Sequence, residues 1–186
     1  MDNGAGSYRR FRDNGDVSGF DEIFMDYSEG LMLYLTSIVG NIWTAEELTE
    51  DTFFLLGTKK PKFKEKCSFK TWLYTIGRNI AFNYLKKNAG RSAVPIENIS
   101  ELISDEAAVE DAYIKNEQQI AVHRVMRKLK PEYQQILWLI YFEGLSNKEA
   151  AKVMGKSVRS TESILYRARK TLRSQLEMDG INYEKS

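Results

Sequence analysis

The stretch LKPEYQQILWLIYFEGLSNKEAAKVMGKSVRSTESILYRARKTL, residues 129–172, decides the reading of this 186-residue chain. Pro131 stands where a helix can begin, because a proline at the first helical position gives up an amide that has no partner there. Apolar residues recur at Ile136, Leu137, Ile140 and Tyr141 until Gly144 ends the run. Ser146-Asn147-Lys148-Glu149 has the form of a capping box, in which serine and glutamate satisfy each other's amides. The short helix it opens ends near Met154-Gly155. Ser157 then caps a longer helix with apolar spacing at Val158, Thr161, Leu165, Ala168 and Leu172. Short helix, glycine turn, longer basic helix is the pattern of a helix-turn-helix.

Residues 146–173 hold eight Lys or Arg against two Glu, a net of +6. Cations along one helix and its turn are what phosphate contacts require. A plain helical hairpin with a solvated basic face has the same pattern, so the remainder of the chain must separate the two readings.

Composition points to an all-α protein. Hydrophobic residues make up 42% of the chain, enough for real cores, and the three prolines, Pro61, Pro95 and Pro131, each fall at a helix junction. The longest apolar run, residues 136–142, is too short to span a bilayer. Residues 1–18 are polar and glycine-rich and read as a disordered tail without a signal peptide. A lone Cys67 excludes an internal disulfide and fits a reducing compartment, the cytoplasm. With one His and one Cys, no zinc cluster and no cofactor site are expected.

The net charge of +1 conceals strong segregation. Residues 19–51 contain eight acids and no Lys or Arg, residues 59–91 contain ten Lys or Arg and one Glu, and residues 96–111 contain six acids and no base. Such blocks predict separate surfaces for separate partners, some of them polyanions.

The N-terminal half reads as three helices. The first spans about residues 20–39 with Ser18 as its cap. A Thr44-Ala45-Glu46-Glu47 capping box opens the second, through Leu48, Phe53 and Leu56. After the lysine-rich loop KKPKFKEKC, Ser68 caps the third, with a core stripe of Phe69, Trp72, Leu73, Ile76 and Ile80. Lys70, Tyr74 and Arg78 line up beside that stripe, next to Asn79. Rings interleaved with cations are the ingredients of a single-strand platform, where bases stack and cations track the backbone. Phe63, Phe69, Trp72 and Tyr74 are the candidate rings. Phe69 and Trp72 also fall on the core stripe, where an aromatic serves packing at least as readily as stacking.

The sequences AEELTEDTF (45–53), SFKTWLYTIGRN (68–79), LKP (129–131), EGLS (143–146), EAA (149–151) and YRAR (166–169) carry a resemblance over about residues 20–176. Together they resemble the extracytoplasmic-function (group IV) sigma factors, the promoter-recognition subunits of bacterial RNA polymerase. The resemblance implies an all-α chain of two small helical domains joined by an acidic linker, the second a helix-turn-helix. It divides the chain into a tail (1–18), region 2 (19–90), linker (91–106), region 4 (107–178) and a short tail (179–186). It implies core-polymerase docking by Glu47, Leu48, Glu50, Asp51 and Phe53. It implies opening and capture of the −10 strand by Phe63, Lys64, Lys66, Ser68, Lys70, Trp72, Tyr74, Arg78 and Asn79. Reading of the −35 element falls to Arg159, Ser160, Glu162, Ser163, Tyr166, Arg167, Arg169 and Lys170. The implied partners are core polymerase, promoter DNA and an anti-sigma factor, with neither membrane insertion nor an enzymatic step.

Several positions depart from the family pattern. Arg159 and Thr161 stand where Gly and Val are common, Glu162 and Ile164 where Lys and Arg are usual, and Gly77 where Ala is usual. Glu162 can accept a hydrogen bond from a cytosine amino group, so the family's −35 preferences do not transfer. Two other readings stay open from the residues alone. One is a stand-alone helix-turn-helix regulator, which leaves the aromatic-basic platform unexplained. The other is a single-strand binding protein, which leaves the helix-turn-helix without a purpose.

Overall fold

The computed structural model describes residues 3–89, 109, 111–113 and 117–180, and among these there is no strand. The linker expected at 91–106 and the chain beyond residue 180 lie outside the described residues.

Most of the segment expected to be a disordered tail is helical. Gly4–Asn14 forms a helix, α1, closed by Gly15 at φ 71°, whose amide donates to the Phe11 carbonyl while the Asp16 amide donates to that of Arg10. Its buried residues Gly4, Ser7, Tyr8 and Phe11 keep helical spacing. Gly4 and Gly19 permit close approach. A Cβ on Gly4 would run into the Phe69 ring, and one on Gly19 would run into the Ser7 carbonyl.

Helix α2, Val17–Val39, is the central element, burying Ile23, Leu31, Tyr34 and Leu35. Asp16, not Ser18, is its cap: the carboxylate accepts the Ser18 amide at 3.1 Å and the Ser18 hydroxyl at 2.6 Å. Helix α3, Ile42–Lys59, likewise begins ahead of expectation, because the Asn41 side chain accepts the Thr44 amide at 2.8 Å. Helix α4, Phe69–Asn88, starts where expected, with Ser68 Oγ accepting the Thr71 amide at 3.3 Å. Gly77 sits on its buried face. A Cβ there would lie 2.9 Å from Leu31, so this glycine lets α2 and α4 approach rather than simply loosening α4.

Helix α5, Glu117–Met126, precedes α6, Pro131–Leu137, which begins at Pro131 as the sequence indicates. From Trp138 to Phe142 the coil widens into a π-helical turn. That widening stacks Trp138 on Phe142 at 4.2 Å, with planes 9° apart. Gly144, at φ 67°, reverses the chain into α7, Asn147–Met154. The capping box is present in full, Gly155 turns at φ 64°, and Ser157 caps α8, Val158–Met178. Helices α1–α4 form one bundle and α5–α8 pack on one another. The two halves meet where α7 lies on α4 and α6 on α2.

Candidate nucleic-acid interface

Helix α8 buries Thr161, Ile164, Leu165, Ala168 and Leu176 against the second half. Ile164, the departure from the usual Arg, is therefore core, while Val158, expected on the apolar stripe, is exposed. The stripe leaves a solvent face carrying Arg159, Ser160, Glu162, Ser163, Tyr166, Arg167, Arg169 and Lys170, all exposed. Tyr166 is 70% exposed, and the Arg169 guanidinium lies 5.5 Å from the Tyr141 ring centroid. All eight residues expected to read duplex DNA are thus presented together on the second helix of a capped helix-turn-helix.

The basic loop between α3 and α4 exposes Lys62, Lys64 and Lys66. The rings expected beside them behave differently. Phe63 is buried, 5.7 Å from Phe69 and 5.1 Å from Trp72. Tyr74 is fully buried and stacks on Tyr34 at 5.5 Å. Both are packing residues in this arrangement, which corrects their expected place on an open platform. Trp72 is half-buried within a cluster of Tyr8, Phe63 and Phe69. Tyr8 was missed by sequence reasoning: its hydroxyl donates to the Pro61 carbonyl at 2.7 Å, tying α1 to the start of the loop. Burial raises its pKa to about 12. Arg9 pairs with Glu65 at the other end of the loop, and the Lys60 ammonium sits 4.6 Å from the Phe11 ring centroid.

The α4 face that bears Ser68, Lys70, Tyr74 and Arg78 is covered by the second half. Lys70 Nζ lies 3.0 Å from Glu143 Oε2 and donates to the Glu143 carbonyl at 3.2 Å. Trp138 Nε1 donates to the other Glu143 oxygen at 3.1 Å, so the half-buried carboxylate has a donor on each oxygen. Gly30 makes room for it: a Cβ there would lie 2.5 Å from Glu143 Oε1 and 2.6 Å from the Tyr74 hydroxyl. Burial, and then the Glu143 carboxylate beside it, push the Tyr74 phenol well above its ordinary pKa.

Glu149 closes its own capping box through Oε2, which accepts the Ser146 amide at 3.0 Å, and presents Oε1 to Ser68 Oγ at 2.9 Å. Thr71 Oγ1 lies 3.4 Å from the same oxygen. Burial acts to raise the pKa of Glu149, but the donors from Ser146, Ser68 and Thr71 outweigh it and hold the carboxyl below its ordinary value. Arg78 approaches the Gly155 turn and stacks over Phe82 at 4.2 Å. Asn79 is exposed.

Helix α3 carries a different surface. Leu48 and Phe53 are 4% and 3% exposed and belong to the core, which corrects their expected docking role. Glu47, Glu50 and Asp51 are exposed as expected, and so are Trp43 and Phe54, the latter at 70%. Positions 43, 47, 50, 51 and 54 follow helical spacing, so acids and two large rings form one outward stripe. The core stripe of Ala45, Leu48, Thr52 and Leu56 runs behind it. That offset is the signal that locates Phe54, rather than Phe53, on the outward stripe.

Among the described residues no group of His, Cys, Asp and Glu is placed to hold a metal. No helix there is long and apolar enough to cross a membrane.

Comparison with known proteins follows this division. Residues 23–91 match the family model described as Sigma-70 region 2, and residues 119–172 match Sigma-70, region 4. The extracytoplasmic-function sigma factor BldN of Streptomyces coelicolor is 30% identical over 166 residues, covering 89% of this chain and 63% of its own length. The sigma-H factor of Pseudomonas aeruginosa is 28% identical over 171 residues, covering 88% and 89%. SigW of Bacillus subtilis is 24% identical over 172 residues, covering 87% and 91%. In fold, the chain is similar to RpoE of Bartonella quintana, solved with the anti-sigma factor NepR, at TM-score 0.62 and 20% identity. That match covers 86% of this chain and 98% of the other. It is also similar to CnrH, solved with the cytosolic domain of CnrY, at TM-score 0.61 and 21% identity, covering 95% and 96%. Two sigma regions in order, on the two helical halves that the charge pattern separates, mean that the chain belongs to the extracytoplasmic-function sigma factors, which direct RNA polymerase to promoters.

Proposed function

We propose the following division of labour among the residues. The outward stripe of α3, with Glu47, Glu50, Asp51, Trp43 and Phe54, docks on core polymerase, its rings supplying apolar area and its acids orientation. Helix α8 enters the major groove of the −35 element. Arg159, Ser160, Glu162, Ser163 and Tyr166 face base edges there, and Arg167, Arg169 and Lys170 face phosphates. The observation that carries this reading is the single exposed face of α8 on which all eight of these residues stand.

The −10 strand is held by Lys64, Lys66, Ser68, Lys70, Trp72, Arg78 and Asn79 once region 4 has moved away from α4. Extruding a base costs on the order of a few kcal/mol. Stacking returns about 1–3 kcal/mol per base. Melting on this account needs no ATP and no catalytic group. The likeness to RpoE, solved with NepR, supports an anti-sigma factor among this chain's partners. The cytoplasm is where such a protein meets core polymerase and promoter DNA.

The experiment is a mobility-shift assay on a genomic DNA library, with and without core polymerase. Sequence-specific retention that requires core polymerase is the expected outcome. Equal retention by the chain alone would identify a stand-alone regulator.

A further inference from the structure

Helix α1 has no share in the division of labour above, yet the basic loop between α3 and α4 rests on it. Among the described residues, the non-glycine residues with left-handed backbone are Lys60, at φ 43°, and Glu65, at φ 53°. Both belong to this loop, and they bracket Lys62, Phe63 and Lys64. A side chain crowds the backbone in that conformation, which persists only where the surroundings over-determine it.

Helix α1 supplies those surroundings at both positions. The Lys60 ammonium lies 4.6 Å from the Phe11 ring centroid, and the Glu65 carboxylate accepts from the Arg9 guanidinium. Between them the Pro61 carbonyl accepts the Tyr8 hydroxyl at 2.7 Å. The buried Tyr8 ring also lies 5.2 Å from Trp72 and 5.5 Å from Phe69, the rings that enclose Phe63. Phe63 is drawn inward while Lys62, Lys64 and Lys66 stay exposed. The brace is itself anchored: Glu22 of α2 accepts from the Ser7 hydroxyl and the Arg10 guanidinium, each at 2.6 Å.

We infer that α1 is the brace of the −10 loop, with Tyr8 and Arg9 as positioning residues that hold Lys64, Lys66 and Trp72 in strand-binding geometry. Neither acts by touching the strand. Each raises the population of the loop shape that does. A loop that keeps this shape in only a fraction of molecules binds with an affinity lowered by that fraction. This inference rests on the −10 reading of the loop.

The test uses holoenzyme assembled from core polymerase and the full chain. Its probe is a promoter mapped by run-off transcription, with a duplex −35 element and the non-template −10 strand left single-stranded. Tyr8→Phe combined with Arg9→Ala removes a hydroxyl and a cation, whereas Glu65→Ala removes an anion from a lysine-rich loop. Tyr8→Phe keeps the buried ring, and Arg9 and Glu65 are exposed, so circular dichroism and thermal melts should match wild type. Lys64→Ala combined with Lys66→Ala is the control for strand binding. Positioning predicts weaker probe binding in both brace variants, about tenfold if the unbraced loop keeps its shape in about one molecule in ten. Charge alone predicts the opposite for Glu65→Ala, which would bind more tightly. Affinity for core polymerase stays at the wild-type value in each.

Glu65→Ala that binds the probe as tightly as wild type, or more tightly, would overturn the brace. So would wild-type binding by Tyr8→Phe combined with Arg9→Ala. In either case weakened binding by the lysine control would leave the −10 reading in place. Wild-type binding by the lysine control would overturn the −10 reading of the loop, and the brace with it.

Discussion

Ser68, the cap of α4, and Glu149, the acid of the α7 capping box, are fastened to each other across the two halves of the chain by a 2.9 Å hydrogen bond. One carboxylate therefore serves its own helix start and a second one 81 residues away in sequence. Glu149→Ala removes both functions, whereas Glu149→Gln keeps the local one. Urea denaturation should show Glu149→Ala less stable by about 1 kcal/mol, the ordinary worth of a capping interaction. Glu149→Gln should lie closer to wild type. Equal losses in the two variants would mean that the cap contributes nothing to stability.

The α3 stripe separates docking from packing between adjacent residues. Phe54→Ala removes an exposed ring and should change stability by no more than about 0.5 kcal/mol. It should nevertheless weaken binding to core polymerase, as should Glu50→Lys combined with Asp51→Lys. Leu48→Ala opens the core and should cost about 2–5 kcal/mol. Native gel titration with core polymerase, beside urea denaturation of each variant, checks the pair. Undiminished core affinity in Phe54→Ala would remove the stripe from the interface.

Trp72 and Tyr74 should part in the same way. Tyr74 is enclosed against Tyr34, so Tyr74→Ala should destabilise by about 3–5 kcal/mol, as expected for deletion of a large buried ring. Trp72 is only partly buried in its cluster. Trp72→Ala should assemble with core polymerase and yet open promoters poorly, which permanganate footprinting of unpaired thymines reads directly. Normal opening by Trp72→Ala would assign that indole to packing alone.

His123 gives the fold a pH dependence of known sign. It is buried against Trp138 and Phe142, and burial, reinforced by Arg127 nearby, lowers its pKa from 6.5 to about 4. Above pH 6.5 the imidazole is neutral in folded and unfolded chains and contributes no pH dependence. As pH falls from 6.5 toward 4, the unfolded chain takes up a proton that the folded chain refuses. Stability therefore drops, by about 2 kcal/mol at pH 5, and this contribution levels off below about pH 4. Urea denaturation of wild type and His123→Phe at pH 7.5 and pH 5 should give a smaller acid loss in the variant. Equal losses would show that His123 is not the group responsible.

Sequence reading located the second half nearly residue by residue, because its signals are local. Pro131, Gly144, Ser146 with Glu149, Gly155 and Ser157 each act within one turn of where they stand. It failed where the deciding partner is distant. Helix α1 has too thin an apolar stripe to announce itself, and Tyr8 acquires its role only from Pro61, Phe69 and Trp72. The caps at Asp16 and Asn41 were displaced by two and three residues, toward serine and threonine that look equally suitable. Phe53 and Phe54 cannot be told apart by composition, and only the register of α3 against α2 makes one core and the other surface. The Lys70–Glu143 pair joins residues 73 positions apart, beyond the reach of any periodicity.

Run-off transcription tests the central claim most directly. Core RNA polymerase is incubated with sheared genomic DNA of the source organism, with and without this protein, and transcript 5′ ends are mapped. The account predicts new starts that appear only with the protein and share paired upstream elements at −35 and −10 spacing. No new starts, from a preparation that retains sequence-specific binding to duplex DNA by itself, would contradict it.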